Sequence, residues 1–121
     1  MPQTVMIVDD ALFIRTVLRT MLEESGCRVI AEAGSGLEAQ RHLRAVVPDL
    51  IFLDIILPDA NGIELLDDIH HSLPDVSVII CSSLSQGQTV QKALQHGAAA
   101  YLQKPFTQES VTAVLEQLKD H

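Results

Sequence analysis

The chain has no tryptophan and few other aromatics, with one tyrosine and three phenylalanines in 121 residues. This leaves no stacking platform for the bases of a single-stranded nucleic acid. Positive charge is also scarce. Lys and Arg total 8 against 16 Asp and Glu, for a formal net charge of -8. A nucleic-acid binder needs a basic face and a polybasic membrane anchor needs a basic cluster, so the charge balance argues against both. No apolar run approaches the roughly 20 residues of a membrane-spanning helix. Met1-Pro2-Gln3-Thr4 lacks the basic-then-apolar pattern of a secretory signal. The two cysteines, Cys27 and Cys81, form no CxxC pair. They are expected to be reduced in a cytoplasmic protein, with Cys81 serving as a small core residue. The histidines (His42, His70, His71, His96, His121) show no HxxxH or HxxE spacing and read as solvated helix surface.

What is present is ordinary globular material. Apolar residues make up 47% of the chain, enough for one domain over residues 1–121 to bury a core without disulfides or a structural metal. Strand and helix patterns alternate five times. The strand candidates are Val5–Val8, Arg28–Ala31, Leu50–Leu53, Val76–Ile80 and Ala99–Leu102. The first, third and fourth are nearly continuous apolar runs, as parallel strands covered on both faces require. The second and fifth are more mixed and suit the edges of a sheet.

Helical stripes lie between the strands. Ile14, Val17, Leu18, Met21 and Leu22 share one face, and Gly26 follows as a stop. Ala39, Leu43, Val46 and Val47 form a second stripe ended by Pro48. Leu65, Leu66 and Ile69 form a third, ended near Pro74, and Val90, Ala93 and Leu94 a fourth before Gly97. Val111, Val114, Leu115 and Leu118 form a fifth, with Thr107 as its expected N-cap. This last helix is expected to finish about where the chain does, at Lys119-Asp120-His121, leaving no room for an output domain. The alternation predicts an α/β fold with a parallel sheet and helices on both faces. Ligands of such sheets bind at the carboxyl ends of the strands.

Read at that edge, the sequence places Asp9 and Asp10 after the first strand and Asp54 after the third. Cys81, Ser82 and Ser83 follow the fourth, and Gln103, Lys104 and Pro105 the fifth. Taken singly, each has a plain reading. Asp10 would cap the first helix, Asp9 would be an exposed acid, Ser82 a turn residue and Lys104 a solvated lysine. Asp54, at the end of a buried apolar strand, is harder to dismiss. Together the set points one way. Three converging carboxylates repel one another, and a divalent cation relieves the repulsion. All-oxygen donors suit Mg²⁺. A lysine charge and a serine hydroxyl opposite would hold a phosphoryl group, and phosphoryl transfer needs mainly positioning and neutralisation.

Across essentially its whole length the chain resembles the receiver domains of two-component response regulators, in particular the single-domain chemotaxis members. The resemblance is carried by Ile7-Val8-Asp9-Asp10, Leu53-Asp54-Ile55-Ile56-Leu57-Pro58, Asn61-Gly62, Ile80-Cys81-Ser82-Ser83 and Lys104-Pro105-Phe106. It implies a flavodoxin-like, doubly wound five-stranded sheet of order 2-1-3-4-5. It also implies that Asp54 is the phosphoacceptor, and that Asp9, Asp10, Asp54 and the backbone carbonyl of Ile56 hold Mg²⁺, with Mn²⁺ as a substitute. Asp9 would act through water or by positioning. Lys104 would pair with the phosphoryl oxygens, and Lys104-Pro105 would be a cis peptide. Ser82 and Tyr101 would form the switch. Ile56 stands where many relatives carry a polar residue, so one polar group fewer sits beside the phosphoryl. Asp10-Ala11-Leu12-Phe13-Ile14-Arg15 and Cys81-Ser82-Ser83-Leu84 are similar to stretches of chemotaxis regulators, although Phe13 and Arg15 also read as helix surface or packing.

The function implied is that of a cytoplasmic, monomeric phospho-switch. It would be a signalling phosphoacceptor rather than an enzyme, assisting its own Mg²⁺-dependent phosphorylation and dephosphorylation. A histidine kinase would donate to it, and its target would be a protein such as a flagellar motor switch component. Alternatives are a relay intermediate passing its phosphoryl to a histidine phosphotransfer protein and a receiver cut from a larger regulator. An aspartyl phosphatase would want a second Asp at position 56, which is Ile56. A flavin carrier would want a Gly-rich phosphate loop where Asp9-Asp10 stands.

Overall fold

The computed structural model describes residues 3–83 and 87–119. Five strands alternate with five helices. They are β1 (Thr4–Val8), α1 (Leu12–Glu24), β2 (Arg28–Ala33), α2 (Gly36–Ala45), β3 (Leu50–Asp54), α3 (Gly62–Ser72), β4 (Ser77–Ser82), α4 (Gly87–Gln95), β5 (Ala100–Gln103) and α5 (Gln108–Lys119). Asp120 and His121 lie outside the described residues. The strands form one sheet of order β2-β1-β3-β4-β5, and every pairing is parallel. The continuous apolar runs of β1, β3 and β4 occupy the centre, and the mixed β2 and β5 are its edges.

Alternation along the strands splits the core in two. Met6, Val8, Ile51, Leu53, Val78 and Ile80 face one side and pack with Ala39 of α2, Leu65, Leu66 and Ile69 of α3, and Ala93 of α4. Val5, Ile7, Leu50, Phe52, Ile79 and Cys81 face the other and pack with Leu18 and Leu22 of α1 and Val111, Val114 and Leu115 of α5. Each fully buried side chain of this kind is worth roughly 1.5–3 kcal/mol of transfer free energy. The two-sided burial is what fixes the register.

Helix ends follow the local chemistry. Ser35 caps α2 through Glu38 N (3.1 Å), Asn61 caps α3 through Ile63 N (2.8 Å) and Thr107 caps α5 through Ser110 N (3.0 Å). Gly26 and Gly97 end α1 and α4 at φ +90° and +106°, a backbone region side chains disfavour. Two sequence expectations need correcting. Val46 and Val47 are not on the second helix: α2 ends at Ala45 and Val46 is extended, leaving both valines exposed. Val47 precedes Pro48, whose ring disfavours the helical region in the residue before it. Asp10 does not cap α1; the capping position is Ala11, which has no side-chain cap bond.

The loop after β3 doubles back. Gly62 N donates to Ile55 O (3.2 Å), and Ile56 and Asn61 form an antiparallel bridge. A methyl group on Gly62 would overlap the Ile55 carbonyl. Gly62→Ala is therefore expected to destabilise the fold by about 2 kcal/mol, the usual scale of overpacking. Urea unfolding checks this, and an unchanged midpoint would show that the loop has slack.

Candidate functional site

β1, β3 and the β5–α5 loop end side by side at the carboxyl edge, and their terminal residues converge. One carboxylate oxygen each from Asp9, Asp10 and Asp54 lies within 4.8 Å of the others. Asp9 and Asp54 are buried, while Asp10 is exposed. Asp54 is the last residue of β3, paired with Cys81 across the ladder, so the apolar strand itself delivers the acid to the surface. Lys104 Nζ reaches in from beyond β5, 2.8 Å from Asp9 Oδ2 and 3.3 Å from Asp54 Oδ2. Its loop is held by Lys104 N donating to Ser82 O (2.7 Å), and the Lys104–Pro105 peptide is cis.

Each acid is held differently. Asp9 accepts from Ala11 N (2.9 Å) at Oδ1 and from Lys104 at Oδ2, so each of its oxygens has one partner below the surface. Asp54 accepts from Ile56 N at 3.2 Å. Above the cluster lies an open cavity of about 300 Å³ lined by Asp10, Asp54, Ile56, Leu57, Pro58, Ser83 and Lys104. Ile56 is exposed at its rim.

The electrostatics match the geometry. Burial pushes the Asp54 carboxyl above its ordinary range and the neighbouring Asp9 charge adds to this, outweighing the Ile56 N–H and Lys104. Burial alone would lower Lys104, but its hydrogen bond to Asp9 and the two carboxylate charges hold the ammonium above its ordinary value. Cys81 is buried behind the site, and desolvation drives its thiol far up, so it stays a neutral core residue. Cys27 is half-buried and also unbridged.

Ser82 and Tyr101 lie to one side. Ser82 is buried at the end of β4 and Tyr101 is exposed on β5. Both line an adjoining cavity of about 200 Å³ with Gly87, Val90, Gln91, Gln103 and Ser83. Ser83 is thus the hydroxyl residue shared by the two cavities, and Ser82 borders only the one on the tyrosine side. Leu84 lies outside the described residues.

Two residues gain a place that the sequence pattern did not give them. Asp59, in the loop that follows Asp54, accepts from Gly36 N (2.8 Å) and Leu37 N (3.0 Å), tying that loop to the start of α2. Those two N–H groups hold its carboxyl below the usual range. Arg15 reaches back from α1 to the Asp9 carbonyl oxygen at 2.6 Å. The available signals were an acid just after Pro58 and an arginine one helical turn beyond the acidic pair.

The response regulator receiver domain family matches residues 5–116. Chemotaxis protein CheY of Listeria monocytogenes is 39% identical over 112 residues, covering 93% of this chain and 94% of that protein. The probable C4-dicarboxylate response regulator DctR of Priestia megaterium is 34% identical, covering 96% of this chain and 51% of that protein. Among solved structures, NtrX from Brucella abortus superposes with a TM-score of 0.90 at 28% identity, over 97% of this chain. This chain spans only about a quarter (26%) of the NtrX chain. Five parallel strands in this order, acids gathered at their carboxyl edge and a family match over nearly the whole length lead to one assignment: the chain belongs to the response regulator receiver domain family of two-component systems, whose partners are histidine kinases.

Proposed function

We propose that this receiver is a CheY-like phosphorylation switch in the cytoplasm, with Asp54 as the phosphoacceptor. The observation that carries the proposal is the convergence of Asp9, Asp10, Asp54 and Lys104 on one open cavity. The donor set fits Mg²⁺. All three side-chain donors are carboxylates, and the one ammonium among them offsets one of three negative charges, leaving two for a divalent ion to balance. Asp10, Asp54 and the Ile56 carbonyl would hold it, with Asp9 positioned by Ala11 N and Lys104. When bound, Mg²⁺ supplies neutralisation of the acids and of the incoming phosphoryl oxygens.

The Asp54 carboxylate attacks the phosphorus of a phosphohistidine on the kinase. The P–N bond breaks, its electron pair returns to the imidazole nitrogen, which takes up a proton, and an acyl phosphate forms on Asp54. Lys104 already spans Asp9 and Asp54 and is free to slide its ammonium onto a phosphoryl oxygen. The new group adds about 1.5–2 negative charges. Ser82 then moves toward the phosphoryl, and Tyr101 turns into the cavity that both residues line with Val90, altering the α4–β5–α5 face. Because this is a bias between two arrangements, it is a population shift. The chemotaxis assignment rests on similarity to CheY over nearly the full length of both chains, with a motor switch protein as target. A receiver unit of a larger regulator is the second reading, supported by DctR and NtrX, which are longer than the region they share with this chain.

A small phosphodonor with Mg²⁺ is expected to add one phosphoryl group, mapping to the Asp54 peptide, and a chelator is expected to prevent it. Intact-mass analysis with no adduct, or an adduct mapped elsewhere, would sink the proposal. Pull-down with beryllofluoride-treated protein separates the chemotaxis reading from a relay intermediate by whether a motor component or a histidine phosphotransfer protein is retained.

A further inference from the structure

Behind the acidic cluster lies a second cation that the phosphorylation chemistry does not use. Arg15 sits one turn into α1. Its Nη1 donates to the Asp9 carbonyl oxygen at 2.6 Å, and its Nε donates to Glu32 Oε1 on β2 at 3.1 Å. Glu32 is held from the other side by Arg19 Nη1 at 2.7 Å. The Arg15 and Glu32 side chains are mostly buried, at 17% and 22% exposed. The guanidinium lies beside Gly34, where a methyl group would sit in ordinary contact with it, 3.4 Å from Nη1.

We propose that Arg15 is a positioning residue for the acidic pair, acting through the Asp9 backbone and set in place by Glu32; this rests on the receiver reading of the site. The Asp9 backbone is held at both of its amides, the N–H donating to the Ala33 carbonyl (3.0 Å) and the C=O accepting from Arg15. The next residue is Asp10, which has an exposed carboxylate and whose peptide N belongs to the same amide as the gripped carbonyl. Fixing that amide fixes the direction in which Asp10 leaves the strand, and so where its carboxylate meets that of Asp54. The guanidinium is suited to this because Nε and Nη1, fixed in one plane, reach two separate partners from a rigid fork, where an ammonium is a single point charge on a flexible stem.

The test is Mg²⁺ affinity measured by calorimetry on the whole chain, with the rate of small-phosphodonor labelling followed against Mg²⁺ concentration. Arg15→Ala is expected to weaken Mg²⁺ binding about tenfold, the low end for groups that orient metal ligands. Labelling at saturating Mg²⁺ is expected to stay near the wild-type rate. Arg15→Lys is expected to recover only part of the affinity. Arg19→Ala also removes a partner of Glu32 but leaves the Asp9 contact, and is expected to keep the wild-type affinity. Circular dichroism establishes that each variant folds, and Glu32→Gln replaces Arg15→Ala if that variant does not. Equal affinity in wild type and Arg15→Ala would overturn the proposal, as would an equal loss in Arg19→Ala, which would mark a general loss of packing. Wild-type protein that binds no Mg²⁺ would instead overturn the receiver reading of the site, and this proposal with it.

Discussion

Asp54→Asn is expected to abolish phosphoryl labelling while raising the unfolding midpoint of the metal-free protein. Loss of labelling follows because an amide is a poor nucleophile and cannot form an acyl phosphate. The gain in stability follows from electrostatics. Burial and the Asp9 charge raise the Asp54 pKa in the fold, so the ionised form is less favourable folded than unfolded. The sign is fixed by that direction. Below the ordinary carboxylate pKa, Asp54 is protonated in both states and carries no penalty. As pH rises toward the higher folded-state pKa, the unfolded chain gives up its proton first and stability falls. Above the folded-state pKa the penalty is at its full size, and the amide removes it for a gain of about 1 kcal/mol. Mg²⁺ then reverses the ranking. At 100 times its Kd a cation stabilises the fold by about 2.7 kcal/mol, and the variant, lacking one carboxylate ligand, gains less. Thermal melts with chelator and with Mg²⁺ read both arms. A variant less stable than wild type in chelator would show that Lys104 already neutralises the cluster.

Much of this site was legible in the sequence because each member stands at the end of a strand whose pattern is strong. Leu50–Leu53 is continuous and apolar, so the acid that ends it had to emerge at an edge, and β3 does run from Leu50 to Asp54. Parallel topology then brought Asp9 and Lys104, 95 positions apart, to 2.8 Å. Pattern failed where a local rule competed with it. Val46 and Val47 continue the apolar spacing of α2, but Pro48 sets the backbone and exposes them. It failed again where a long side chain folds back. Nothing in the periodicity of α1 says that Arg15 turns to the Asp9 carbonyl rather than outward, or that Asp59 closes on two N–H groups of another helix. Those contacts depend on the relative height of neighbouring elements, which spacing along one chain does not encode.

Lys104→Met tests the same cluster from the other side and is expected to give the largest loss of stability. The methionine fills the space of the lysine stem but leaves Asp9, Asp10 and Asp54 within 4.8 Å of one another without their ammonium. Asp9 and Asp54 are nearly enclosed, at 5% and 10% side-chain exposure, so water makes up little of the deficit. Removing one partner of a buried charge group costs about 3 kcal/mol. In the wild type the raised Lys104 pKa keeps the ammonium charged through the neutral range, so its contribution is lost only in strong alkali. The variant's deficit is expected to be largest in the neutral to mildly alkaline range and to shrink in acid, where Asp54, whose pKa the fold raises, takes up a proton. Mg²⁺ is expected to narrow the gap, because it restores the missing positive charge. Adding Asp54→Asn to Lys104→Met should recover more than Asp54→Asn gains on its own, since the two changes act on one charge cluster and are not additive. Urea midpoints for wild type, both single variants and the double variant, in chelator at several pH values, decide it. If Lys104→Met matched wild type at neutral pH, or Asp54→Asn gained no more in the Lys104→Met background than in the wild type, Lys104 would be tied to the surface rather than to these acids. Its place opposite the phosphoryl group would then have no electrostatic basis.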